Sequence, residues 1–225
     1  MNRKLNIAFL MDPLETLDLK GDTTFALALE AQRRKHCISF FKPEDLIFSN
    51  NDVLANICEL ELSSSNNLYE FKYHDTFIKP LSKYDVIMMR QDPPFNMAYI
   101  SATHILEKLP SSTLVVNNPF EVRNSPEKIF VTNFSHLMPK TLISRNIDAI
   151  KEFRKKFKNI IIKPLYGNGG QGVFHILPED ENLNSILEMF FSQNKEPLMV
   201  QEYLKDVRNG DCLLYTSPSP RDQLQ

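Results

Sequence analysis

A chain of 225 residues, 42% apolar and 24% charged, can bury one large core or two ordinary ones and has the make-up of a soluble globular protein. Its formal net charge of −2, with no long basic run and no apolar run of spanning length, gives no footing for nucleic acid, an anionic membrane surface or a transmembrane segment. Three cysteines without metal-type spacing (Cys37, Cys58, Cys212) suit reduced thiols better than a disulfide framework or a zinc site. Met1 to Lys4 leads straight into a strand pattern instead of a signal peptide, so a cytoplasmic location is expected.

Lys4 to Met11 reads as a first buried strand, stopped at Asp12-Pro13. Asp22 can cap a helix through about Arg34, with Phe25, Leu27, Ala28 and Leu29 as its apolar side and Arg33, Arg34 and Lys35 at its negative end. Ile38 to Phe41 is the next strand, and strand, helix, strand in this order predicts a βαβ unit with a parallel sheet. Asp52 to Tyr73 is hard to read: Ile57 and Glu59 to Leu62 allow a strand, whereas Ser63 to Asn67 are loop formers. Asp85 to Arg90 is a strand running into Gln91-Asp92-Pro93-Pro94-Phe95. Ligands gather at the carboxyl ends of strands in open α/β sheets, so Arg90 and Asp92 stand where a charged small molecule would be met. A rigid Pro-Pro turn carrying an exposed ion pair would use the same residues.

Ile100 to Leu109 reads as a helix and Thr113 to Val116 as a strand. Ser125-Pro126-Glu127-Lys128 then marks a helix start, with serine as cap and proline at the first helical position. Lys128 opposes the helix dipole there, which suits either a ligand or a solvated face. Thr141 to Ser144 is a strand. Asn146 caps a helix whose apolar residues are Ile147, Ile150, Phe153 and Phe157, with Lys151, Arg154, Lys155, Lys156 and Lys158 as its solvated side.

Four of the six glycines fall at Gly167, Gly169, Gly170 and Gly172. The spacing satisfies G-x-G-x-x-G, but Val173 to Leu177 reads as a strand where a dinucleotide fingerprint needs a helix, and no Gly-Lys-Ser/Thr follows as a P-loop needs. What remains is a strand, a glycine loop and a returning strand, whose bare amides can form a concavity for a polyphosphate. Lys163 interrupts the apolar run Ile160 to Leu165, where an ammonium is costly to bury without an anion. A surface hairpin with a lysine reaching water is the other reading. A helix from Leu183 to about Gln193 follows, with Leu183, Ile186, Leu187, Phe190 and Phe191 inward. A strand from Pro197 to Tyr203 comes next, and its polar end suits a purine ring.

Lys128 on a helix start, Lys163 before a glycine hairpin and Gln201-Glu202-Tyr203-Leu204 after a helix resemble, in that order, the ATP-grasp superfamily. Met11 to Pro13 (MDP), Glu30 to Arg34 (EAQRR) and Met89 to Phe95 (MRQDPPF) are similar to bacterial glutathione synthetase, over about Leu5 to Asp211. The resemblance implies an α/β fold. An N-terminal open parallel-sheet (pre-ATP-grasp) domain would span residues 1–122 and the first part of an ATP-grasp domain 123–211, followed by a tail, 212–225, disordered or foreign to the fold. It implies ATP-dependent ligation of γ-glutamylcysteine to glycine through an acylphosphate. Lys128, Lys163, Gly167, Gly169, Gly170 and Gly172 would then hold the phosphates, Gln201, Glu202, Tyr203 and Leu204 the adenine end, and Arg90 and Asp92 the peptide substrate. No catalytic residue is singled out. Mg²⁺, or Mn²⁺, would accompany ATP on carboxylates expected beyond Asp211, so the chain as written is expected to lack activity. Small molecules and a homo-oligomeric state are implied as partners. Another ATP-grasp carboxylate–amine ligase, or a non-catalytic nucleotide-binding module, are the competing readings.

Overall fold

The computed structural model describes residues 3–65, 68–167 and 169–209. Asn66, Asn67, Asn168, Cys212 and the expected tail lie outside them. By their contacts the residues form two units: one takes in 1–130 with 166–168, the other 131–165 with 169–225.

The first unit is built on a sheet of seven strands. β1 (Asn6–Leu10) is its centre, flanked in parallel by β2 (Cys37–Phe41), reached through helix α1 (Thr23–Arg33), and by β6 (Val86–Met89). β1 is apolar and buried from Ile7 to Leu10 because both of its faces are covered there. Ile7, Phe9 and Met11 join Phe25, Ala28, Ile38 and Phe40 on one side, while Ala8 and Leu10 join Phe41, Ile87, Met89 and Leu106 on the other. Helix α2 (Met97–Leu106), capped by the Asn96 side chain, supplies Leu106, and β7 (Leu114–Val116) pairs in parallel with β6. Short helices α3 (Pro119–Asn124) and α4 (Glu127–Phe130) end this unit.

The expected parallel sheet is thus present as β2-β1-β6-β7. The segment that resisted reading extends it by an antiparallel edge. β3 (Leu46–Ser49), β4 (Asp52–Ser65) and β5 (Leu68–Pro80) pair around β4, so Ser63 to Ser65, expected as loop, belong to a long strand. The cause lies in β4 itself. Val53, Ala55 and Ile57 face one core and Cys58, Leu60 and Leu62 the other, so the side chains alternate without a break while the buried set passes from one face to the other after Ile57. The register shift between Cys58 and Leu60 leaves its extra residue on β5, which takes three steps from Thr76 to Tyr73 against two on β4.

Helix α1 begins where expected, the Asp22 carboxylate accepting from the Phe25 amide at 2.6 Å. Its buried positions are Thr24, Phe25 and Ala28, however, and Leu27 is 46% exposed. The turn of 3.6 residues that brings 25 and 28 inward carries 27 outward. Phe25→Ala should therefore cost about 3–5 kcal/mol and Leu27→Ala less than about 0.5, read by urea unfolding. The helix expected from Ser125 is also shorter than its cap signal suggests. Ser125 terminates α3, and α4 is a single turn that runs into a 3₁₀ stretch at Val131–Leu137.

The second unit is a four-stranded antiparallel sheet in the order β10-β9-β11-β8, with β8 at Thr141–Ser144, β9 at Ile160–Pro164, β10 at Phe174–Ile176 and β11 at Leu198–Glu202. Helices α5 (Ile147–Phe157) and α6 (Leu183–Gln193) supply Ile150, Leu183, Leu187 and Phe190 to one core, shared with Ile160, Ile162, Ile176, Leu198 and Val200 of the sheet. Both helices lie on that face. Strand alternation therefore sends Ile161, Lys163, His175, Met199 and Gln201 to the opposite face.

Candidate functional site

Two groups of polar residues stand out, one in each unit. In the first, the carboxyl ends of β1 and β6 lie side by side, the Arg90 amide donating to the Leu10 carbonyl at 2.7 Å. The Arg90 guanidinium is held on the start of α1, Nε donating to Thr24 Oγ1 and Nη2 to Thr23 Oγ1, each at 3.0 Å. The Asp92 amide donates to Asp12 Oδ2 at 2.7 Å. Arg90 and Asp92 are thus brought together with Asp12, Asp22, Thr23 and Thr24. The sequence marked Asp22 only as a helix cap and missed both threonines, though their place after a strand's carboxyl end was the available signal.

Burial pushes the Asp92 carboxyl above its ordinary pKa, with Asp12 and Asp22 adding to the effect and Arg90 opposing it. The folded state therefore holds the Asp92 proton more tightly than the unfolded chain does, and stability is lost as pH rises from the ordinary value of 3.8 through the raised one. Asp92→Asn should raise the thermal midpoint at neutral pH, the gain vanishing below pH 3.8, in unfolding scans across pH.

The Glu30 to Arg34 stretch has a structural role. Glu30 pairs with Arg33 at 2.6 Å and Arg34 at 2.7 Å on the helix surface, which draws its pKa down to about 2, through hydrogen bonds first. Gln32 ties α1 to β4, its amide donating to the Leu62 carbonyl at 2.5 Å and accepting from the Leu62 amide at 2.8 Å.

In the second unit, the glycine hairpin has the expected form, with Phe174 opposite Ile162, His175 opposite Ile161 and Ile176 opposite Ile160. Gly169, Gly170 and Gly172 have φ of 58°, 76° and 68°, a left-handed backbone that L side chains rarely adopt. Lys163 lies on the helix-free face, two residues from the turn. Gln201, buried on that face, donates to Thr141 Oγ1 at 2.9 Å. Beyond it the Glu202 amide donates to the Lys140 carbonyl at 2.9 Å and the Tyr203 amide to the Asn159 carbonyl at 3.1 Å, while Leu204 is exposed. Lys128 and Gly167 meet within the first unit, the Lys128 ammonium donating to the Gly167 carbonyl.

The second unit therefore offers a cation on one sheet face beside a left-handed glycine turn at one end and an ordered polar strand terminus at the other. That combination can hold an elongated anion with a flat head. Among the described residues no three His, Cys, Asp or Glu side chains are grouped to hold a metal ion.

The architecture is that of ATP-grasp proteins. It matches the crystal structure of D-cycloserine synthetase DcsG with a TM-score of 0.58 at 15% identity, over 89% of this chain and 60% of that one. A RimK domain protein ATP-grasp from Sphaerobacter thermophilus gives 0.57 at 16% identity, over 88% and 64%. Residues 5–123 match the family model for the prokaryotic glutathione synthetase N-terminal domain and 127–215 that for its ATP-grasp domain. The chain belongs to the prokaryotic glutathione synthetase family. It is 50% identical over 208 residues to the glutathione synthetase of Mesorhizobium japonicum and 38% identical over 209 residues to that of Buchnera aphidicola, covering 92% of this chain in each case. It spans 66% of the length of the first of these relatives and 65% of the second.

Proposed function

We propose that the protein to which this chain belongs joins the carboxylate of γ-glutamylcysteine to the amine of glycine, driven by ATP. The observation that carries this reading is the 50% identity to a glutathione synthetase, running through both matched domains. The carboxylate takes the γ-phosphoryl group, giving an acylphosphate and ADP. The glycine amine then attacks the acyl carbon, phosphate leaves and the amine loses a proton. Phosphoryl transfer asks a protein chiefly for positioning and neutralisation of charge. Lys163 and Lys128 supply positive charge in this reading, and the amides of Gly167, Gly169, Gly170 and Gly172 line the phosphates. Gln201, Glu202, Tyr203 and Leu204 take the base.

Arg90 is suited to a substrate carboxylate and the Asp92 carboxylate to an ammonium, a pairing that fits the zwitterionic head of a γ-glutamyl group. Division of labour between residues 1–122 and 123–211, use of Mg²⁺ with ATP, a cytoplasmic place and a homo-oligomeric assembly belong to the same proposal. Among the described residues no helix is long and apolar enough to cross a membrane.

Titration calorimetry tests the substrate class. The chain should bind γ-glutamylcysteine and not D-alanine, and Arg90→Met should abolish the binding. The reaction is tested with a chain carrying the remaining third of a relative's length, which should release ADP only when γ-glutamylcysteine and glycine are both present. Turnover with D-alanine alone would contradict the assignment.

A further inference from the structure

Two buried side-chain atoms among the described residues have no hydrogen-bond partner, Gln91 Oε1 in the first unit and His175 Nε2 in the second. Leaving a buried nitrogen unpaired costs about 1–3 kcal/mol, so each instance asks for a reason. His175 stands on β10 opposite Ile161, and Ile161 stands opposite Gln201 on β11. Alternation puts the three on the helix-free face that carries Lys163, one row further from the glycine turn and so about 6–7 Å along the strands. The imidazole stacks on Tyr203, centroids 4.0 Å apart and planes 24° from parallel. Tyr203 is itself fixed, its hydroxyl accepting from Arg208 Nε at 2.9 Å and its amide bonded to Asn159.

An immobilised aromatic pair with an unspent ring nitrogen, in the row nearer Gln201 than the phosphate loop, fits a flat heteroaromatic ring bearing donors and acceptors on its edge. We propose that His175 is a nucleotide-base contact, its Nε2 hydrogen-bonded to the purine when ATP is bound and its ring setting the position of Tyr203. This rests on the nucleotide reading of the face, and two ligands separate the claims: ATP, and inorganic tripolyphosphate, which lacks the base.

In calorimetry, His175→Phe keeps an aromatic ring against Tyr203 but removes the nitrogen. It should weaken ATP about threefold to tenfold and leave tripolyphosphate unchanged, whereas Lys163→Met should weaken both. On the unsubstituted chain, ATP should move the ¹⁵N resonance of His175 Nε2 and tripolyphosphate should not, a readout independent of how the variant folds. Unchanged ATP affinity in His175→Phe with raised thermal stability, as when a water had served the nitrogen, overturns the proposal. Equal loss of both ligands does so too, marking a merely structural residue. Failure of the unsubstituted chain to bind either ligand overturns the nucleotide reading and this contact with it.

Discussion

Lys163→Met is expected to lower ATP affinity about 10-fold to 100-fold in calorimetric titration while leaving the far-ultraviolet circular dichroism unchanged. The magnitude is that of one charge-assisted hydrogen bond to a phosphate, which is roughly twice as strong as a neutral one. Methionine preserves the length and packing of the lysine stem on β9, whose core-facing positions are Ile160 and Ile162, so fold and charge are separated. If the lysine only reached water from a surface hairpin, the substitution would leave ATP affinity where it was. Affinity for tripolyphosphate should fall by a comparable factor, because the cation answers to phosphate and not to the base.

The hairpin turn gives the second large effect, as a contrast between two glycines. At Gly172, with φ of 68°, a Cβ would stand 3.2 Å from both Cγ and Cδ of Pro164 and 3.4 Å from the Phe190 ring. These neighbours are a proline ring and a core aromatic, with little freedom to give way. Gly172→Ala therefore combines left-handed backbone strain with overpacking and should destabilise the chain by about 2–4 kcal/mol in urea unfolding. Gly170, with φ of 76°, has nothing within 4 Å of the same added atom. Gly170→Ala should lose only the strain, about 1–2 kcal/mol. Equal costs at the two positions would mean that the close approach to Pro164 and Phe190 is not part of the folded state.

Where a segment keeps one period, its structure could be read before the fold was known. β1 is a continuous apolar run from Ile7 to Leu10, α5 and α6 keep the 3.6-residue period, the glycine hairpin is flanked by β-favouring residues, and Asp22 and Asn146 cap where the sequence placed them. β4 defeated the reading because its apolar residues pass from one face to the other between Ile57 and Cys58, so either half alone looks like a short strand beside polar residues. Leu27 misled because hydrophobicity was counted without its angle around the helix. Short helices such as α3 hide behind the strand that precedes them, although Asn118 caps α3 with bonds to the amides of Phe120 and Glu121.

The candidate site divides in the same way. Residues set apart by composition, the glycines and Lys163, were visible in the sequence. Those that matter through partners on other elements were not, since Thr23 and Thr24 acquire meaning only when β6 brings Arg90 against α1, and His175 only when it stacks on Tyr203. A motif can also be distinctive for structural reasons. Glu30, Gln32, Arg33 and Arg34 bind one another or β4, and none is required to touch a ligand.

The nucleotide site is tested most directly by recording amide ¹H–¹⁵N spectra of the chain while ATP is added. Saturable shifts of Lys163, Gly169, Gly170, Gly172, Tyr203 and Leu204, with the amides of β2 and β4 unmoved, are expected. Saturation with those six amides unmoved would contradict a triphosphate held on the helix-free face of the second sheet.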